Sequence, residues 1–162
     1  MVSLNKRIMS VLSAVMIVMT GCSLDKNEQT DSIDMEEKNM QDNSIGYVQV
    51  IRSDEYIIVS FDIENESVMK LGDRLNEIEE QAYMNGYNWD ALIGYYLNIN
   101  APDLLNGLES DPEAGMYAGY YDNNDENMMK AQKLAECIRK MIDDPDKLCE
   151  FVEENCADIP WN

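Results

Sequence analysis

From Tyr47 to Ile63 the chain reads in steps of two. Tyr47, Gln49 and Ile51 fall on one side of an extended segment and Val48 and Val50 on the other. A β-branched and aromatic run, Tyr56–Ile63, follows. Ser53-Asp54 between them is turn chemistry, so the pattern predicts a hairpin of Tyr47–Arg52 with Tyr56–Ile63. The period then changes. Val68, Leu71, Leu75, Ile78 and Ala82 recur every three or four residues, which predicts a helix. Glu64 to Ser67 suits its start and Asn85-Gly86 its end. Asn88 is placed to cap a second helix, Trp89–Asn98, with the stripe Trp89, Leu92, Ile93 and Tyr96. Pro102 opens a further helical turn that Gly107 closes. Asp111-Pro112-Glu113-Ala114-Gly115 is a turn. It leads into a third strand, Met116–Tyr121, with Met116, Ala118 and Tyr120 on one face and Tyr117, Gly119 and Tyr121 on the other. Both faces are apolar, so either both are covered or one serves a partner. Asn127–Ile142 is a helix with Ala131, Leu134, Ala135, Ile138, Met141 and Ile142 on one side. Asp143-Asp144-Pro145 breaks it before a last helix, Asp146–Asn155. The order implies an α+β domain: a small antiparallel sheet, made of the N-terminal hairpin plus at least one later strand, with helices packed on one face.

The N-terminal part is of another kind. Lys6 and Arg7 precede an apolar run from Ile8 to Met19, then Thr20-Gly21-Cys22. The run is too short to span a bilayer comfortably and has the form of a signal-peptide core. The small pair before cysteine resembles a bacterial lipobox. That implies cleavage after residue 21 and lipid on the Cys22 thiol, with the protein on the membrane and facing away from the cytoplasm. Residues 22–44 are polar and acidic, too poor in apolar groups to order themselves, and are expected to be a disordered tether. The folded domain is expected over residues 45–162.

Charge narrows the partners. The 162 residues hold 12 basic and 32 acidic side chains and no histidine, a formal −20. Without Lys6 and Arg7, ten basic residues face the same 32 acids, a formal −22. Such a chain is repelled by nucleic acid and by anionic lipid headgroups, and favours a cationic partner. The absence of histidine removes Ser-His-Asp and Cys-His catalysis and histidine metal ligands. GLESDPEAG has neither phosphate-loop spacing. Asp122-Asn123-Asn124-Asp125-Glu126 fails as a calcium loop, because Asn127 stands where glycine is needed and Lys133 where glutamate is. No metal, cofactor or catalytic residue is expected. Cys137, Cys149 and Cys156 remain beside Cys22: either one pair forms or all three are small buried hydrophobes.

GYNWDALIGYYLNINAPDLLNGLESDPEAGMYAGYY, residues 86–121, resembles the immunity protein 51 family of bacterial polymorphic-toxin systems. The resemblance rests on Gly86, Asn88-Trp89, Leu92, Tyr96-Leu97, the run Asp111 to Met116 and the aromatic strand after it. Leu134-Ala135 and Ile159-Pro160-Trp161 extend it, so that it covers Ile45 to Asn162. It implies a small α+β protein that binds and neutralises a cognate toxin without catalysis. The lipobox sets this chain apart from immunity proteins of the cytoplasm. The charge suits a cationic toxin, and Trp89, Asp90, Asp111, Glu113, Tyr117 and Tyr120 are the candidate contacts. The alternative is an acidic lipoprotein that binds an envelope component or a cationic peptide. The leader generates a direct prediction. Cys22→Ala moves the protein from the membrane fraction to the soluble one, read by fractionation and immunoblot, and unchanged retention refutes lipidation.

Overall fold

A computed structural model describes residues 46–162; the expected signal peptide, Cys22 and the expected tether lie outside the described residues. Four strands form one antiparallel sheet in the order β1-β2-β4-β3: β1 Val48–Arg52, β2 Tyr56–Asp62, β3 Glu109–Ser110 and β4 Met116–Asp122. Four helices accompany it: α1 Glu66–Ile78, α2 Gly86–Asn100, α3 Asp125–Asp143 and α4 Pro145–Asn155, with a 3-10 turn at Pro102–Leu105. The expected α+β class is the observed one.

The register explains the alternation. Val48 opposes Phe61, Val50 opposes Val59, and on the far side of β2 Ile57 opposes Tyr121 and Phe61 opposes Tyr117. This set faces the helices. Val48, Ile57, Val59, Phe61, Tyr117 and Tyr121 are all buried there. Gln49, Ile51, Tyr56, Ile58, Met116 and Tyr120 share the opposite face, and no described helix covers it. Phe61 meets Trp89 of α2 edge to face, ring centroids 5.2 Å apart, a pairing that contributes about 0.5–1.5 kcal/mol beyond burial. Gly119 lies in the middle of β4 because any side chain there would strike the Tyr117 hydroxyl at 2.8 Å. Tyr121 donates to the Leu104 carbonyl at 2.6 Å, which pins the 3-10 turn to the sheet. The three cysteines in this part are free thiols, with Cys149 buried.

The boundary between the first two helices differs from expectation. α1 stops at Ile78, and Glu79 is already extended. The Asn76 amide donates to the Glu80 carbonyl at 2.9 Å and closes the helix end. Asn85 does not end α1 but caps α2, its side chain accepting from Asn88 N at 3.0 Å. Asn88 therefore lies inside the helix instead of capping it. Its amide donates to the carbonyls of Gln81 at 3.0 Å and Tyr83 at 2.8 Å, and its oxygen accepts from Asn162 N at 2.7 Å. Trp161 donates to the Cys156 carbonyl at 3.0 Å beside it. The buried stripe of α2 runs Trp89, Leu92, Ile93, Leu97, while Tyr96 is half-buried against Phe151. The two-residue β3 is an addition. Its residues, Glu109 and Ser110, carry no apolar alternation to announce it.

The Asp122–Asp125 cluster has structural work. Asn123 donates to the carbonyls of Ser53 and Asp54 at 2.8 and 3.2 Å, and accepts from Arg52 Nε at 2.7 Å. Asn124 caps α3. These asparagines hold the tip of the first hairpin against the start of α3.

Gly86 packs against backbone. A Cβ there would lie 1.9 Å from the Glu113 carbonyl oxygen and 2.4 Å from that of Met116. Gly94, on the same helix, has open space around it. Gly86→Ala therefore costs several kcal/mol, as steric and backbone strain do, whereas Gly94→Ala is neutral or stabilising by about 0.5–1 kcal/mol. Urea denaturation of the two variants checks this, and a Gly86→Ala protein as stable as the parent refutes the close approach.

Candidate functional site

Charge is unevenly placed on the fold. Every basic side chain between residues 46 and 162 lies on Arg52 of β1 or on α1, α3 and α4. Many are neutralised where they stand: Arg52 by Asp125, Lys70 by Glu66, Arg74 by Asp146, Lys130 by Glu126 and Lys140 by Glu136. Residues 75–129, which supply α2, the 3-10 turn, β3 and β4, contain no lysine, arginine or histidine. They contain eleven acids. Asp125 and Glu126 of this run are paired, with Arg52 and Lys130; Glu109, Asp111 and Glu113, at the β3–β4 edge, take part in none of these ion pairs.

Glu109 opposes Tyr120 and Ser110 opposes Gly119 in the pairing of β3 with β4. Glu109 and Tyr120 thus share the outer face and Ser110 the inner one. The chain turns back through the loop expected from the sequence. Asp111 N donates to the Ala118 carbonyl at 2.9 Å and Glu113 N to that of Met116 at 2.8 Å. Backbone pairing leaves the Asp111 and Glu113 side chains exposed. Tyr120 is half-buried and meets Tyr56 edge to face at 6.3 Å. Ile51 and Tyr56 are 45% and 43% exposed, so this outer face is apolar at its centre and acidic at its rim.

Under the same edge lies a cavity of about 300 Å³. Asp90, on the side of α2, lines it with Leu105, Leu108, Ser110, Tyr117 and Pro160. Burial raises the Asp90 carboxyl above the ordinary aspartate range, and a hydrogen bond with Ser110 partly offsets this. No cation acts on it. The Tyr117 phenol is pushed up as well, first by burial and then by the Asp90 charge.

The expected contacts therefore divide. Asp90, Asp111, Glu113 and Tyr120 are gathered around the β3–β4 edge with surface to offer. Trp89 and Tyr117 are each only 1% exposed, so neither offers an outer surface to a partner: Trp89 belongs wholly to the core, and Tyr117 only backs the wall of the Asp90 cavity. They lost that role to packing: Trp89 fills the space against Phe61, and Tyr117 lies over Gly119. Ser110 and Glu109 are the residues that sequence reasoning missed. The only cue to them was their place just before a strong turn.

Asp90 carries a testable signature. A carboxyl held above its unfolded value stabilises the fold relative to the ionised form at low pH, and that contribution is lost as pH rises through the raised value. Asp90→Asn removes the loss and keeps a hydrogen-bonding group. The variant is more stable than the parent at neutral pH, and the difference disappears below the ordinary carboxylate range. Thermal unfolding across pH checks the sign, and a variant destabilised equally at all pH refutes it.

Comparison with curated proteins and with solved structures gave no match. A family model does match, described as immunity protein 51, over residues 48–157. The match spans the sheet, all four helices and the acidic edge, and the chain belongs to the immunity protein 51 family.

Proposed function

We propose that this chain is a lipid-anchored immunity protein that binds a cationic protein toxin of a polymorphic-toxin system and blocks it by covering it, without catalysis. Family membership supports the immunity role. The observation that carries the rest is that the β3–β4 side of the sheet and the helix α2 beside it come from a run, residues 75–129, without a basic residue. Such an edge attracts positive charge from a distance and so raises the encounter rate. The exposed apolar patch of Ile51, Tyr56 and Tyr120 gives it short-range area to bury. The lipobox at Cys22 would put this surface on the outer side of the membrane, where a toxin delivered between cells first arrives.

The test is co-expression of the full chain with the product of the adjacent gene, expected to be a toxin. Growth is restored, the two proteins co-purify at low salt, and the association constant falls by roughly tenfold or more on going to physiological salt. Asp111→Lys with Glu113→Lys slows association. No rescue and no co-purification refute the immunity role. A flat salt dependence refutes the electrostatic part. A stable envelope partner in cells without any toxin gene would favour the reading as an acidic envelope-binding lipoprotein.

A further inference from the structure

Asp90 is out of place for a surface carboxylate. Ion pairs among the described residues, such as Arg52–Asp125 and Arg74–Asp146, join exposed acids to the cations of β1, α1 and α3. Exposed pairs of that kind contribute little to stability. Asp90, by contrast, is half-buried at a cavity wall and has no cationic partner; its one polar neighbour of note is the Ser110 hydroxyl. A carboxylate withdrawn from water without a counter-charge is held at a cost, and the cost is relieved when a cation comes to it.

The rest of the cavity suits a cation on an apolar stem. Leu105, Leu108 and Ile93 wall it with hydrocarbon, and Tyr95 and Tyr117 bring aromatic rings. Its volume of about 300 Å³ has room for one long side chain. A lysine or arginine buries its methylenes and keeps its charged head for a carboxylate or an aromatic face. Placement matters as well. Ser110 belongs to β3, whose neighbours Glu109 and Asp111 sit on the acidic rim. A partner drawn to that rim reaches the mouth of the cavity.

Resting on the immunity reading above, the geometry points to the Asp90 cavity as a socket for one lysine or arginine side chain of the toxin. The inserted cation pairs with the Asp90 carboxylate, accepts no proton and forms no covalent bond. Its stem displaces water from the walls formed by Leu105 and Leu108. A buried pair of this kind acts mainly on dissociation, whereas the rim charges act on encounter.

The socket can be tested apart from any toxin. The isotope-labelled full chain is titrated with n-butylammonium and n-propylguanidinium, and with neutral n-pentanol as the shape control, while amide shifts are followed by NMR. The two cations move the signals of Asp90, Ser110, Tyr117 and Leu108 together, with millimolar affinity, and lower the Asp90 carboxyl titration midpoint. Asp90→Asn abolishes these shifts. The Asp111→Lys, Glu113→Lys variant keeps them. Equal response to n-pentanol, shifts spread over the acidic surface, or an unchanged response in Asp90→Asn each overturn the socket. Micromolar binding of the free amine overturns the assignment to a protein side chain and makes the cavity a small-molecule site. With the neighbouring toxin, Asp90→Asn weakens binding by about 30-fold or more through faster dissociation, and an unchanged rate overturns the proposal. If the cations bind at Asp90 but the parent chain neutralises no toxin, the socket stands and the immunity reading falls. If the toxin is neutralised but the cations do not bind, the socket alone falls.

Discussion

The start of α2 is held from three sides at once, and the arrangement of the remaining elements depends on that hold. Asn88, a buried side-chain amide, joins the carbonyls of Gln81 and Tyr83 to the backbone N–H of Asn162. Two residues earlier, Gly86 lies against the carbonyls of Glu113 and Met116. The first contact ties the linker after α1 and the C-terminal residue to the helix. The second ties the helix to the hairpin turn before β4. A buried amide with all its partners is worth modest free energy, but one left unsatisfied is expensive, so the alternatives are penalised more than the native state is rewarded.

The next two residues inherit this geometry. Successive positions on a helix point about 100° apart, so Trp89 and Asp90 leave the same turn in different directions. Trp89 goes into the core against Phe61. Asp90 goes sideways, toward Ser110 and the cavity under β3. A packing residue and a charged one are set by a single anchored turn. The strand above them is shaped by the same need for space, with Gly119 leaving room for Tyr117.

Charge follows the architecture. α1, α3 and α4 carry nearly all the cations of the domain and neutralise many of them locally, some between residues four apart on the same helix. α2 and the β3–β4 hairpin carry none. Self-repulsion in an acid-rich domain destabilises the compact state, and concentrating the imbalance on one edge gives that repulsion a use if a cationic protein binds there. In the function proposed above, long-range attraction at the rim would serve association and the Asp90 cavity retention.

Much of this was legible in the residues. The alternation of Val48 and Val50, the stripe of Ala131, Leu134 and Ile138 and the turn at Asp111–Gly115 are local patterns, and local patterns report local structure: the first hairpin, β4, α3, α4 and the α+β class followed from them. The family could be read from Asn88-Trp89 and the run Asp111 to Met116 because these residues are held in order by the fold. What only the tertiary structure decided depends on groups far apart in the chain. α1 stops at Ile78 because Gln81 and Tyr83 are needed by Asn88, a bond no periodicity contains. Two-residue β3 exists because β4 offers it an edge. Trp89 and Asp90 look alike as candidates in a string of letters, and burial separates them, since whether a side chain meets a core, a cavity or water is set by what the rest of the chain places opposite it.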